Sequence, residues 1–280
     1  MKIKKCSIFK FKKFSLNLIT IIVAIFFMFP IFYVMSTAFK PKIFAFTIPP
    51  VWITKPTFEN FLNVFTKQGF FLNLTNSIVI SLSVTVLSLV VAVPAAYAFS
   101  RYKFKGKHNL LFWVLSTRMA PPIAVVVPFF LIINKLGLYD KQIALIILYL
   151  SFNIPLAIWI LKSFFDGIPR EFEEAAMLDG CNFFTAFIKV LLPLSTPGIA
   201  TTAIFCFIFS WNEFLMAFIL TGKASKTLPV LVTGYIQTTR GIIWSEMSAA
   251  AVIIIIPTII FTLFSQRYLL RGLTFGGLRE

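Results

Sequence analysis

Histidine and cysteine are almost missing from this chain, and acidic residues are few. One histidine, His108, and three scattered cysteines, Cys6, Cys181 and Cys206, provide neither a zinc-ligand spacing nor a disulfide framework. Charged residues make up 13% of the sequence, about half the roughly 25% of an ordinary soluble domain. Paired carboxylates, a histidine cluster and a nucleophile beside a base are all lacking, so an intramembrane enzyme has no machinery here. The chain is not expected to be an enzyme or to hold a metal.

Apolar residues fill the place of the missing charge. Hydrophobic side chains are 59% of the 280 residues and mean hydropathy is +0.90. A soluble fold could not cover its surface with the polar groups that remain, and a disordered chain is poor in apolar residues, not rich in them. The net charge of +16 invites a nucleic-acid reading. The lysines and arginines, however, fall in the gaps between apolar runs, where lipid headgroups and topology account for them. The composition is that of an integral membrane protein, with the bilayer as its partner and no nucleic acid.

A helix needs about 20 mostly apolar residues to cross the hydrocarbon core. Six stretches meet that length: Leu16 to Phe39, Leu74 to Phe99, Leu110 to Ile133, Ile143 to Leu161, Ile199 to Leu220 and Met247 to Phe264. The first has a basic front and resembles a signal peptide, but its core exceeds the roughly 7–15 residues of an h-region, so it reads as an uncleaved span. With the N-terminus inside, 16 basic residues lie on inner segments and 9 on outer ones, while Arg118 lies within a span. That asymmetry places both termini in the cytoplasm. The expected organisation is a basic N-terminus over 1–15, a transmembrane domain over 16–266 and a cytoplasmic tail over 267–280. The fold class is all-α, a polytopic membrane protein with six transmembrane helices.

One segment does not belong in a bilayer. Residues 166–193 hold half of the acids in the chain: Asp166, Glu171, Glu173, Glu174 and Asp179. Ile168-Pro169-Arg170-Glu171 reads as a helix start, with acids at the favourable end of the dipole, and Gly180 as its stop. A second short helix is expected from Phe183 to Leu192, ending before Pro193. From periodicity alone, an amphipathic hairpin lying on the membrane explains the segment as well as a projecting one does.

The spacing then adds a likeness. Glu174-Ala175-Ala176, three residues, Gly180, nine residues, Val190, one residue and Leu192-Pro193 resemble the EAA signature of ABC importer permeases, with Val190 where the family usually has isoleucine. STRMAPPIAVVVPFF in the third stretch, SWNEF in the fifth and RGLTFGGLRE at the end are similar to the carbohydrate type, above all the smaller inner-membrane subunit of maltose, polyol and glycerol-phosphate importers. The resemblance implies that the hairpin is a coupling element docked in an ATPase. Glu173, Glu174, Ala175, Ala176, Asp179, Gly180, Val190, Leu192 and Pro193 would be its coupling residues. It also implies a homologous second permease subunit, two copies of an ABC ATPase and an extracytoplasmic solute-binding protein. The outer loop from Gly222 to Glu246 would meet the binding protein, and the tail would reach the ATPase.

No cofactor is expected in this chain. Gly106-Lys107 and Gly222-Lys223 are not followed by serine or threonine, and the earlier glycine of a phosphate loop is replaced by Arg101 and Ala217. ATP and magnesium would therefore sit on the partner ATPase. Polar residues at membrane depth mark a candidate substrate path: Arg118, Asn153, Trp211, Asn212 and Glu213. An aromatic ring beside hydrogen-bonding groups suits a sugar, whereas Trp211 as an interfacial anchor and Asn212 and Glu213 as packing residues explain the same cluster. A stand-alone, ion-driven transporter is the rival reading. It calls for intramembrane carboxylates, of which Glu213 is the single candidate.

Overall fold

A computed structural model of the chain describes residues 2–67, 69–237 and 241–276, with side chains over 15–67, 69–236 and 242–266. The chain forms two compact units, Met1–Gln68 with Val232–Ile253, and Gly69–Leu231 with Ile254–Glu280.

The first unit begins with helix α1, Lys2–Ala38. Within it Ser15–Ala38 is long and apolar enough to cross a membrane. Side chains such as Phe26 and Phe27 lie exposed along it, as suits a helix solvated by lipid. The short helix α2, Glu59–Thr66, closes the end of α1. The buried Asn60 amide donates to the carbonyls of Ala38 and Lys40, each at 2.8 Å, so it satisfies carbonyls that a helix terminus leaves open. Lys67 lies 3.5 Å from the centroid of the Tyr235 ring. Burial, and then the Glu246 carboxylate, push the Tyr235 hydroxyl up to about 12. Glu246 itself pairs with Lys42 at 2.7 Å.

The second unit carries the membrane core. Helices α3, Phe70–Arg101, and α6, Gln142–Asp166, pack along each other. Ala92, Ala96 and Ala157 are fully buried in a core cluster with Leu161 and Phe165. Small residues let two backbones approach closely where lipid offers no hydrophobic drive for association. Between them in sequence come α4, Lys107–Ser116, and α5, Pro122–Lys135. The acidic segment follows as α7, Glu171–Leu178, and α8, Phe183–Ala186. It then passes through a π turn, Phe187–Leu191, into α9, Leu192–Leu194. Next are α10, Thr196–Trp211, α11, Leu215–Leu220, and α12, Leu228–Leu231. Helix α13, Trp244–Gly276, begins in the first unit and continues in the second.

The chain is an all-α polytopic membrane protein. The strand content among the described residues is a two-residue ladder, β1 (Ile236–Gln237) on β2 (Gly241–Ile242). Among the described residues, four helices are each long and apolar enough to span: Ser15–Ala38, Phe70–Arg101, Gln142–Asp166 and Trp244–Gln266. Two expected spans are not single helices. Leu110 to Ile133 is divided into α4 and α5, because Pro121 and Pro122 supply no amide donor and push the residue before them out of the helical region. Ile199 to Leu220 is divided at 212–214, between α10 and α11. In addition, α10 turns by 72° from the segment Phe183–Leu194. The expected tail is helical through Gly276, and 277–280 lie outside the described residues.

Candidate functional site

The hairpin is built by three local rules. Glu171, Glu173 and Glu174 occupy the first turn of α7, where carboxylates meet the positive end of the helix dipole. Gly180 then takes a φ of +92°, while the Cys181 amide reaches back to the Ala176 carbonyl at 3.0 Å. This left-handed residue closes the helix as a glycine C-cap does. A β-carbon at Gly180 would find no atom within 4 Å. The glycine is thus required by its backbone angle, and close packing plays no part. Asn182 starts the next helix, its side-chain oxygen accepting from the Thr185 amide at 2.8 Å.

The second helix does not stop before Pro193. The Leu192 amide bonds to the Phe187 carbonyl, five residues back, and this wider turn shifts the register ahead of the proline. The ladder therefore continues to Leu194, whereas an unshifted α-helix would clash there. The bend comes two residues after Pro193, at Ser195. Val190 and Leu192 are half-buried and Pro193 is exposed.

Within α7, one candidate turns away from the surface. Glu173 is buried, and Arg101 at the end of α3 donates to it through Nε at 2.6 Å. The Tyr97 hydroxyl donates to its other oxygen at 2.9 Å. Arg101 also donates to the Ile168 carbonyl, Arg170 donates back to the Arg101 carbonyl, both at 2.9 Å, and Ser100 donates to Asp166 at 2.7 Å. Glu173 is thus an internal anchor and has no free face for an ATPase, contrary to its place among the expected contact residues. Glu174, Ala175, Asp179 and Gly180 are exposed and Ala176 half-buried. Phe172, Leu178 and Phe184 are exposed beside them. Nothing in sequence spacing links Arg101, Tyr97 or Arg170 to Glu173; the one available signal was a cation at the end of a span.

The five substrate-path candidates are only partly brought together. Asn153 is fully buried, and its amide bonds to the Tyr149 carbonyl at 2.9 Å and to the Ser210 hydroxyl at 3.2 Å. Glu213 accepts from the Tyr149 hydroxyl at 2.7 Å and from the amides of Met216 and Ala217, so it caps α11. Trp211 is buried, stacked on Phe207, with its indole N–H on the Ile254 carbonyl at 3.0 Å. It is a packing residue in this conformation, not an open platform for a ring. Asn212 stays exposed, bonded to Ile208 and Thr258. Arg118 lies in the break between α4 and α5, its guanidinium 4.7 Å from the Phe209 ring centroid, with no carboxylate partner among the described residues.

A further polar site joins the turn before α6 to the loop after α11. Asp140, at a φ of +56°, accepts from the amides of Gly222, Lys223, Ala224 and Ser225 and from the Ser225 hydroxyl, at 2.8–3.1 Å. Burial would raise its pKa. The bonds from Ser225, Ala224 and Gly222 outweigh that and hold it at about 2. A β-carbon on Gly222 would stand 2.6 Å from the Asp140 carboxylate, so glycine is the residue that lets this loop close over the acid.

Comparison with known proteins agrees with this architecture. Residues 86–275 match the family described as binding-protein-dependent transport system inner membrane component. The chain belongs to this family. The trehalose transport system permease protein of Mycobacterium tuberculosis is 37% identical over 262 residues, covering 89% of this chain and 92% of that one. The trehalose/maltose transport system permease protein of Thermococcus litoralis is 35% identical over 271 residues, covering 96% and 97%. Among solved structures, a bacterial ABC transporter that imports the acidic polysaccharide alginate superposes with a TM-score of 0.73 at 26% identity, over 90% of this chain and 94% of that one. The chain is a multi-pass permease of the binding-protein-dependent ABC importer class.

Proposed function

We propose that this permease carries a sugar, polyol or sugar derivative inward by alternating access, driven by a separate ATPase. It works with a homologous second permease subunit, two copies of the ATPase and an extracytoplasmic solute-binding protein. The relatives named for trehalose and maltose support the substrate class. ATP and magnesium are bound by the partner, and the chain catalyses no reaction of its own. Both termini and the α7–α8 hairpin lie on the cytoplasmic side, and six crossings follow if the broken α4–α5 and α10–α11 segments each count as one.

One observation carries the coupling role. The hairpin exposes Glu174, Leu178 and Phe184 while buried bonds fasten its base to α3. A contact that transmits force needs both properties, an accessible face and a rigid root. Arg118 and Asn212 are the path residues that keep polar groups accessible. The ion-driven alternative loses ground because Glu213 is committed to three hydrogen bonds. Glu174→Lys tests the proposal: insertion should be unchanged, while ATPase co-purification or hydrolysis stimulated by loaded binding protein should fall. Wild-type values for both would return the hairpin to a membrane-surface role, where added positive charge strengthens attraction to anionic lipid.

A further inference from the structure

A cavity of about 510 Å³ opens beside the loop that joins α3 to α4, lined by Phe104, Gly106, Lys107, His108, Asn109 and Lys162 among others. It lies at the same end of the unit as the coupling hairpin, because Lys162 pairs with Asp166, which also receives the Ser100 hydroxyl. Among the described residues no acidic side chain lines it. Lys107 spends one N–H on the Tyr102 carbonyl at 3.1 Å and keeps two donors. Lys103 and Lys105 flank it in the same loop, and no carboxylate pairs with Lys103, Lys105 or Lys107 among the described residues. The contrast with Arg101, four residues before Lys105, is direct: that cation is consumed by Glu173.

The surroundings say which anion would reach it. Along α4 the next side chains outward are Leu110, Phe112 and Trp113, all exposed, Trp113 at 72%. A polar cationic hollow thus passes within one helical turn into an apolar, indole-bearing surface. That is the profile of a bilayer interface, with headgroup charge above and acyl chains below. A small soluble anion would use the lysines and His108 but would have no use for the aromatic flank.

We propose that this cavity binds the phosphoryl group of an anionic phospholipid, held by Lys107 and His108, with the Asp166-paired Lys162 on its wall and Lys103 and Lys105 in the adjoining loop. The site is independent of coupling and of the transported solute, so its test reads neither. The intact transporter is purified with phosphatidylglycerol, with phosphatidylcholine or with inorganic phosphate, and bound species are counted by native mass spectrometry. Retention of phosphatidylglycerol over phosphatidylcholine is expected, weakened roughly ten-fold or more in Lys107→Gln/His108→Gln. Lys141→Gln, at the opposite end of α6, should retain wild-type binding. Equal retention of the two lipids, or unchanged binding in the double variant, overturns the site. Binding of inorganic phosphate without selective lipid retention overturns the lipid assignment in favour of a soluble phosphate.

Discussion

Breaking the bond between α3 and the hairpin should release the hairpin without unfolding the membrane core. Arg101 and Glu173 are 7% and 6% exposed at their side chains, so neither charge has water to fall back on. Arg101→Met leaves a buried carboxylate with only Tyr97 as donor, a loss that typically costs about 3–5 kcal/mol. Glu173→Met leaves the guanidinium on the Ile168 carbonyl and should cost somewhat less. Replacing both with methionine removes two desolvation penalties at once, so the double variant should be more stable than Arg101→Met alone. The loss is local, because α3 and α6 remain packed through Ala92, Ala96 and Ala157. Hydrogen exchange is therefore the assay. With about 3 kcal/mol removed, amides in 168–181 should exchange on the order of a hundred-fold faster, while those in α3 and α6 keep their protection. Wild-type exchange in Arg101→Met, or strictly additive effects in the double variant, would refute the anchoring argument.

Gly180 supplies a graded test, since only its φ of +92° opposes a side chain. Gly180→Asn should be nearly neutral, Gly180→Ala should cost about 1 kcal/mol and Gly180→Val more, read as stepwise loss of ATPase co-purification in that order. Equal behaviour of Val and Asn would remove the backbone explanation. For Asp140, the folded pKa of about 2 lies below the ordinary 3.8. Its stabilisation is therefore complete above about pH 4 and fades as pH falls towards 2. The linked energy is on the order of 1 kcal/mol after allowing for solvent screening. The thermal midpoint of Asp140→Asn should sit below wild type at pH 7, and the gap should narrow at pH 3; a gap that widened with acid would contradict the sign.

Local features of the hairpin were readable in the sequence because their causes are local. Acids in the first turn, glycine at the stop and proline in the second helix each act over a few residues, and α7 with Gly180 stands where they place it. The break at Pro121-Pro122 has an equally local cause, in two residues without an amide donor. The same logic missed the continuation past Pro193, since a π turn at Phe187–Leu191 leaves no compositional mark. Long-range pairings were out of reach for a different reason. Glu173 and Glu174 are adjacent acids of equal propensity, and only the position of Arg101, 72 residues away, decides which is buried. Asp140 and the amides of 222–225 are likewise separated by more than 80 residues, and backbone donors carry no side-chain signature. At the candidate substrate path, residue type named the polar groups but not their direction. Trp211 and Glu213 turn inward to Ile254 and Tyr149, while Asn212 is exposed and Arg118 half-buried against Phe209.

The placement of rigid and broken segments limits how this unit can respond to a push on α7. Bonds to Arg101 and Tyr97 tie α7 to α3, and the alanine contacts tie α3 to α6. Tyr149 and Asn153 then tie α6 to α10 and to the cap of α11. A close-packed interior transmits displacement and does not absorb it, so these helices are poorly placed to yield individually. Compliance resides where the ladder is interrupted, at 117–121 between α4 and α5 and at 212–214 between α10 and α11. Arg118 occupies the first interruption and Asn212 the second. On the proposed mechanism, the path residues that keep some exposure are the ones seated at the joints, and a movement begun at the hairpin would change their separation before it disturbs the packed pairs.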